Sequence, residues 1–478
     1  MTNKLIDEIR NNLDNGNVTS EMLFDEATSK AKKYQDEYNS FVTIMDKKEE
    51  IEGNSILRGI PYALKDNIST KGILTTASSN ILKDYIPLYD ATVYKKLKES
   101  GAVLMGKTVL DELAMGGTGT TGHTGIVRNP WNKDRMIGGS SAGSAAAVAL
   151  GIVPFAIGSD TGDSIRKPAA YGGVVGYKPT YGRISRYGLF AFASSLDHLG
   201  VFARSVKDVS YVMDVIKGHD SKDMTSLPDE DICYVDSLDN DIKGKKLFYI
   251  KEALGIVSDN EELEKIKDNF KDVLDKCKNL GFEVEEVSFG RELLEAIYPV
   301  YNVISCAEAT SNNSNLTGIP FGSRVEASNV NDIMMKTRTK GFSELIKRRF
   351  VIGSYVLQKE NQEKLFLNAS RVRRLIVDRM NELFKKYDGL IMPTSGDIAP
   401  LFDKASDKLS DEYLILGNHL VIGNFGGFPS ISIPSGFVNN MPVSINITGR
   451  AREDYLVLNM ANKIEEVLGC KGMVAKDE

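Results

Sequence analysis

The spacing of apolar positions changes several times along the chain, and each change marks a part. Between residues 3 and 50 the spacing is helical. Thr19 and Ser20 offer a cap for a helix running to about Tyr38, with Met22, Leu23, Ala27 and Ala31 on one face. From residue 55 to about 215 the stripe gives way to short apolar runs among Gly, Ser, Thr and Ala. Ala102 to Met105 and Phe155 to Ile157 read as buried strands that end at glycine, and Ala-rich Ser144 to Leu150 as a tightly packed helix. Residues 218–245 are polar and acidic, an expected exposed connection. Lys246 to Ile250, a helix to about Leu280, and Phe282 to Val287 predict a strand-helix-strand unit in which Gly281 closes the helix. Residues 303–385 read as helical, with the basic clusters Lys347 to Arg349 and Arg371 to Arg374 on a solvated face. Strands at Gly389 to Met392, Ser430 to Ile433 and Val443 to Ile447 precede a last helix from Glu453 to about Leu468. Interleaved strands and helices predict an α/β protein. Its expected organisation is an N-terminal helical segment over 1–50 and one domain over 51–478, with an insert after about residue 215.

Composition narrows the possible partners. Of 478 residues 42% are hydrophobic and 26% charged, which excludes a disordered, collagen-like or coiled-coil chain. The 59 Lys+Arg against 65 Asp+Glu leave a net charge of −6, with no overall attraction for nucleic acid, so DNA is not an expected partner. Cys233, Cys277, Cys306 and Cys470 stand far apart and histidines number four, so no metal site is expected and the thiols read as reduced. The longest apolar stretch, Ala145 to Ile157, is broken by Gly151 and Pro154 and is too short to span a bilayer. No signal-peptide run follows Met1. No membrane association and a cytoplasmic location are expected.

Three stretches carry candidate chemistry. Pro61-Tyr62-Ala63-Leu64-Lys65 ends a short apolar strand on a lysine. Gly138-Gly139-Ser140-Ser141-Ala142-Gly143-Ser144 opens the Ala-rich helix. Gly158-Ser159-Asp160-Thr161-Gly162-Asp163-Ser164-Ile165-Arg166 follows a strand. A hydrolytic serine needs a base and backbone N–H groups aimed at the developing oxyanion, and glycine-rich turns present such groups without obstruction. Only His123 and His198 fall in this region, neither in a nucleophile-elbow context, so a Ser-His-Asp triad is not indicated. A lysine serves as base if burial disfavours its charged form. Each stretch alone fits a plainer role: a turn, an anion-binding cap, or a lysine whose amine reaches solvent. No GxxxxGK[ST] loop is present.

Together, and in this order, the three stretches resemble the amidase signature family. The resemblance is dense over residues 55–215 and looser through Met392-Pro393-Thr394 and Phe428 to Pro434. It implies a large mixed central sheet flanked by helices and a Ser-cisSer-Lys triad. Ser164 would be the nucleophile, Ser140 the bridging serine in a cis peptide and Lys65 the base. Thr161, Gly162 and Asp163 would form the oxyanion hole. Within the family, Lys178 to Gly188, Ala191 to Asp197 and Tyr301 to Gly322 are most similar to the A subunits of tRNA-dependent amidotransferases. Those subunits release ammonia from glutamine. A partner B subunit uses the ammonia, with ATP and Mg, to convert Glu-tRNA(Gln) to Gln-tRNA(Gln), and a small C subunit clamps the two. The resemblance implies no cofactor in this chain itself.

The sequence departs from that pattern at informative places. Asp163 stands where the family carries glycine, Ala142 replaces a glycine of the cis-serine loop, and Thr118 to Gly122 replaces a Ser-Thr-Glu-Thr-Ser stretch. Arg349 matches the family's glutamine-binding arginine. Its partner acid would fall near Gly417-Asn418, where there is none. An acid lost near 417 and one gained at 163 suggest that Asp163 grips the substrate's α-ammonium from the other side. A stand-alone amidase on another carboxamide and a catalytically impaired scaffold subunit remain the alternatives.

Overall fold

The structure, a computed structural model, describes residues 1–403, 410 and 412–475. Its strands are β1 (Phe41–Ile44), β2 (Pro61–Lys65), β3 (Val103–Thr108), β4 (Arg128–Asn129), β5 (Asn132–Met136), β6 (Phe155–Asp160), β7 (Val175–Lys178), β8 (His198–Ala203), β9 (Lys246–Ile250), β10 (Glu283–Val287), β11 (Gly389–Pro393), β12 (Ser430–Val438) and β13 (Met441–Gly449). β4 and β5 pair with each other. The other eleven described strands form one mixed sheet in the order β1-β3-β2-β6-β8-β7-β12-β13-β11-β9-β10. Helices cover both faces, so β2, β6 and β11 are buried at every residue; β2 and β6 read as apolar runs with polar ends and β11 as apolar throughout. The strand-helix-strand unit over 246–287 is present with parallel strands, and β9 joins the central sheet beside β11.

Local details explain where the pattern misleads. Phe41–Ile44, within the stretch expected to be helical, is an edge strand paired antiparallel with β3. Thr19 does cap the helix Ser20–Tyr38, accepting from the Met22 N–H at 3.2 Å, but Met22 itself points out, 54% exposed. β3 and β6 run straight through Gly106 and Gly158. A side chain at Gly106 would meet the Thr43 carbonyl at 2.7 Å, and one at Gly158 the Phe202 ring at 2.6 Å. These glycines admit neighbours rather than ending strands. The 218–245 connection is anchored, not merely exposed: Tyr234 and Leu238 are buried, and Asp223 accepts from the Arg186 N–H at 2.8 Å. The basic stretch 371–374 also splits. Arg371 and Arg374 face solvent, while Arg373 turns inward to the Phe425 carbonyl and Ser195.

The fold positions the chemistry by setting β2 and β6 side by side and parallel, with Leu64 opposite Ile157. Their C-terminal ends, Lys65 and Asp160, therefore emerge together, where open α/β sheets place their sites. The Ala-rich helix Ala142–Ala149 lies buried against them. Its small residues permit the approach: a side chain at Gly143 would sit 2.2 Å from the Ser40 carbonyl. Among the described residues no helix is long and apolar enough to cross a membrane.

Candidate active site

Lys65 ends β2 with no exposure. Its Nζ lies 2.8 Å from Ser140 Oγ, 2.9 Å from Ser141 Oγ and 2.8 Å from Ser159 Oγ. Burial pushes the amine down from 10.5 to about 7, although the charges of Asp111, Asp160 and Asp197 oppose the fall. All three direct side-chain partners are hydroxyls, so an amine that is uncharged near neutral pH can take a proton from a serine it touches.

Ser140 follows a cis peptide bond from Gly139. The loop is clamped by Asp111, whose N–H donates to the Ser140 carbonyl at 3.1 Å. The Asp111 carboxylate in turn accepts from the N–H groups of Thr118, Gly119, Thr120 and Thr121 at 2.9–3.1 Å. Gly139 is required there, because a side chain would sit 2.1 Å from Asp111 Oδ2.

Ser164 lies on the turn after β6 and is 4% exposed. Its carbonyl accepts from the Ser141 N–H at 3.3 Å, tying the two loops together. The structure thus brings Lys65 and Ser140 into contact and sets Ser164 in the adjoining loop. Among the described residues no hydrogen bond joins the hydroxyls of Ser164 and Ser140. Around Ser164 the N–H groups of Thr161, Gly162, Asp163 and Ser164 find no protein acceptor among the described residues. A run of free buried donors beside a serine is a ready cradle for an oxyanion. Two buried side chains hold it. The Thr161 hydroxyl donates to Asp197 at 2.7 Å, and Arg166 donates to the Gly162 carbonyl at 2.8 Å. Arg166 is itself paired with Asp160 at 3.0 Å and bonded to Asn424, which holds the Asp160 carboxyl well below the usual carboxylate range despite burial.

Further polar side chains stand near the cradle. Tyr301 rests on Gly162, where a side chain would come 3.1 Å from the ring. The Nε and Nη1 atoms of Arg349, on the helix Glu344–Val356, are buried without a partner. Asp163 is half-buried, and burial raises its carboxyl; its Oδ2 lies 3.8 Å from Lys167 Nζ. Lys167 also donates to the Gly417 carbonyl at 3.3 Å. Burial raises the hydroxyls of both Tyr301 and Tyr413, and the charge of Arg349 opposes that rise while that of Asp163 adds to it. The residues that resemble the amidotransferase pattern also meet: Glu308 accepts from Ser195 N–H and Oγ, and Asn312 donates to the Phe192 carbonyl. Sequence reasoning singled out Ser141, Ser159, Asp160 and Arg166 without giving them roles, and missed Asp197, Asn424 and Lys167 as parts of the site. Lys167 alone had a legible signal, a cation four residues after an acid. Among the described residues no cluster of His, Cys, Asp and Glu could hold a metal ion.

A mixed sheet of this order thus carries, at the ends of two parallel strands, a buried lysine–serine contact beside free N–H groups. The amidase family profile matches residues 1–458, and the chain belongs to that family. Two curated relatives, both A subunits of glutamyl-tRNA(Gln) amidotransferase, are similar over most of their length. The chain is 41% identical over 428 residues to the one from Pseudothermotoga lettingae, covering 89% of each chain. It is 39% identical over 476 residues to the one from Sulfolobus acidocaldarius, covering 97% of this chain and 98% of the relative. The crystal structure of the corresponding Thermotoga maritima protein superposes with a TM-score of 0.83 at 35% identity, over 99% of this chain and 97% of that one.

Proposed function

We propose that this chain is the glutaminase subunit of a glutamyl-tRNA(Gln) amidotransferase. The observation that carries the reading is the buried Lys65–Ser140 contact beside the free N–H groups of 161–164, with Nε and Nη1 of Arg349 buried and without a hydrogen-bond partner. Arg349 would take the α-carboxylate of glutamine and Asp163 its α-ammonium. Ser164 Oγ attacks the carboxamide carbon; its proton passes to Ser140 Oγ, and the proton of Ser140 passes to Lys65 Nζ. The N–H groups of 161–164 receive the oxyanion. Collapse breaks the C–N bond, the proton returns through Ser140, and ammonia leaves. Water then attacks the acyl-enzyme, frees glutamate and restores Ser164. The ammonia would serve a B subunit, which with ATP and Mg activates Glu-tRNA(Gln), while a C subunit clamps the pair in the cytoplasm.

The test is amidation of Glu-tRNA(Gln) by the chain reconstituted with B and C subunits, with glutamine or with ammonium as donor. Both donors are expected to work. Activity with ammonium alone would point to an impaired glutaminase, and hydrolysis of simple amides without partners would point to a stand-alone amidase.

A further inference from the structure

The cradle contains a carboxylate, and that creates an electrostatic problem. Asp163 lies between Gly162 and Ser164, and its own N–H is one of the free donors. A negative side chain attached to an oxyanion hole opposes the charge that the hole exists to stabilise. It also favours the protonated form of a nearby amine, working against a neutral Lys65. Asp163 nonetheless sits half-buried, where water screens it little, and desolvation already disfavours its charge.

The structure supplies one cation to meet it. The Asp163 carbonyl accepts from the Lys167 N–H at 2.9 Å, so the two residues are one helical turn apart and their side chains share a face. Lys167 Nζ stands 3.8 Å from Asp163 Oδ2 and is held from the other side by the Gly417 carbonyl at 3.3 Å. With its side chain 18% exposed, it is no freely waving surface lysine. Arg166 is already bound to Asp160, Asn424 and the Gly162 carbonyl, and among the described residues no ion pair joins Arg349, which lies over the Phe192 ring, to Asp163.

We infer that Lys167, held by the Gly417 carbonyl, is the counter-ion that makes Asp163 compatible with oxyanion formation at Ser164. It is a positioning residue that acts through Asp163 and touches no reacting atom. It engages Oδ2, and among the described residues no hydrogen-bond donor is seated on Oδ1, which stays open for a substrate ammonium. The inference rests on Ser164 as nucleophile and 161–164 as its cradle, not on glutamine as substrate.

The experiment therefore uses a probe without an amino group. An alkyl fluorophosphonate reacts with an activated serine: the Oγ–P bond forms, the P–F bond breaks, fluoride leaves and the serine proton goes to the base, while the phosphoryl oxygen takes the oxyanion's place. Labelling rates of the full chain are measured for wild type, Lys167→Met, Lys167→Arg, Asp163→Asn and the Asp163→Asn, Lys167→Met double variant, beside glutamine hydrolysis. Lys167→Met is expected to slow labelling about tenfold, Lys167→Arg to stay within about threefold of wild type, and Lys167→Met to change the rate less than about twofold once Asp163 is Asn. An equal effect of Lys167→Met in both backgrounds would mean a structural role and overturn the inference, as would no effect in either. A wild type that labels but does not hydrolyse glutamine overturns the glutaminase reading alone. A wild type that does not label overturns both.

Discussion

Arg166 donates to the carbonyl oxygen of Gly162 at 2.8 Å and thereby aims the N–H of Asp163. In a trans peptide the carbonyl oxygen and the following N–H point in opposite directions, so a cation that pins one fixes the other. Asp160 neutralises that cation. Asp160→Asn would leave a buried guanidinium short of its counter-charge. The expected loss is about 3–5 kcal/mol of folding stability. It should appear as a lower urea midpoint with an unchanged slope, and a midpoint equal to wild type would contradict the assignment.

Removal of the base tests the proton relay. Lys65→Met should lower glutamine turnover by about 10²–10⁴-fold, the span of general-base contributions, with little change in KM. Ser164→Ala should abolish turnover and fluorophosphonate labelling together. Unchanged turnover in either variant would sink the triad.

The pH profile follows from the burial of Lys65. The proposed relay needs its amine neutral, and burial lowers it to about 7. Turnover should therefore rise as pH climbs through about 7 and then level off, since deprotonation creates the active form. A rate that rose only above pH 9 would mean an amine still near its ordinary value.

Substrate binding separates into two arms. Arg349→Gln removes one charge-assisted contact to a carboxylate, a class worth about 1.5–3 kcal/mol, so KM for glutamine should rise about 10–100-fold with a smaller change in kcat. Asp163→Asn should also raise KM. An unchanged KM in Asp163→Asn would remove that residue from the ammonium site.

A buried pair of acids away from the site predicts a stability effect. Glu465 accepts from the Val206 N–H at 3.1 Å and Asp208 from the Ile6 N–H at 3.2 Å. Burial raises Glu465 from 4.5 to about 8 and Asp208 from 3.8 to about 7. The folded chain thus keeps protons that the unfolded chain releases, and stability falls as pH rises from about 4 to about 8. Glu465→Gln removes part of that loss. Its Tm relative to wild type should be higher at pH 8 than at pH 5, and the same difference at both pH values would contradict it.

What the sequence revealed depended on range. The helix cap at Thr19 and the closing Gly281 are local signals that need only a few neighbours, and the structure places both as read. Glycines inside strands misled, because Gly106 and Gly158 are small for the sake of Thr43 and Phe202, which are distant in sequence. The same holds at the site. Lys65, Ser140 and Ser164 lie in short contiguous stretches, each with a plainer role on its own, and stood out only through the resemblance of the three stretches in order to one family. Asn424 could not, since its place beside Asp160 depends on a contact spanning 264 residues. Lys167 was legible as the acid's helical neighbour, but its anchor at Gly417 was not.

That long contact bears on how the chain is made. Synthesis delivers Lys65, Ser140 and Ser164 early, yet Arg166 needs the Leu420 carbonyl, Asn424 and the Ser430 hydroxyl to complete its ring of acceptors. A growing polypeptide on the ribosome therefore carries these three side chains long before the cation that orders their loops finds all its acceptors. Those acceptors lie 254–264 residues further along, so the buried cation behind the Gly162 carbonyl is fully satisfied only once the chain through Ser430 has been made.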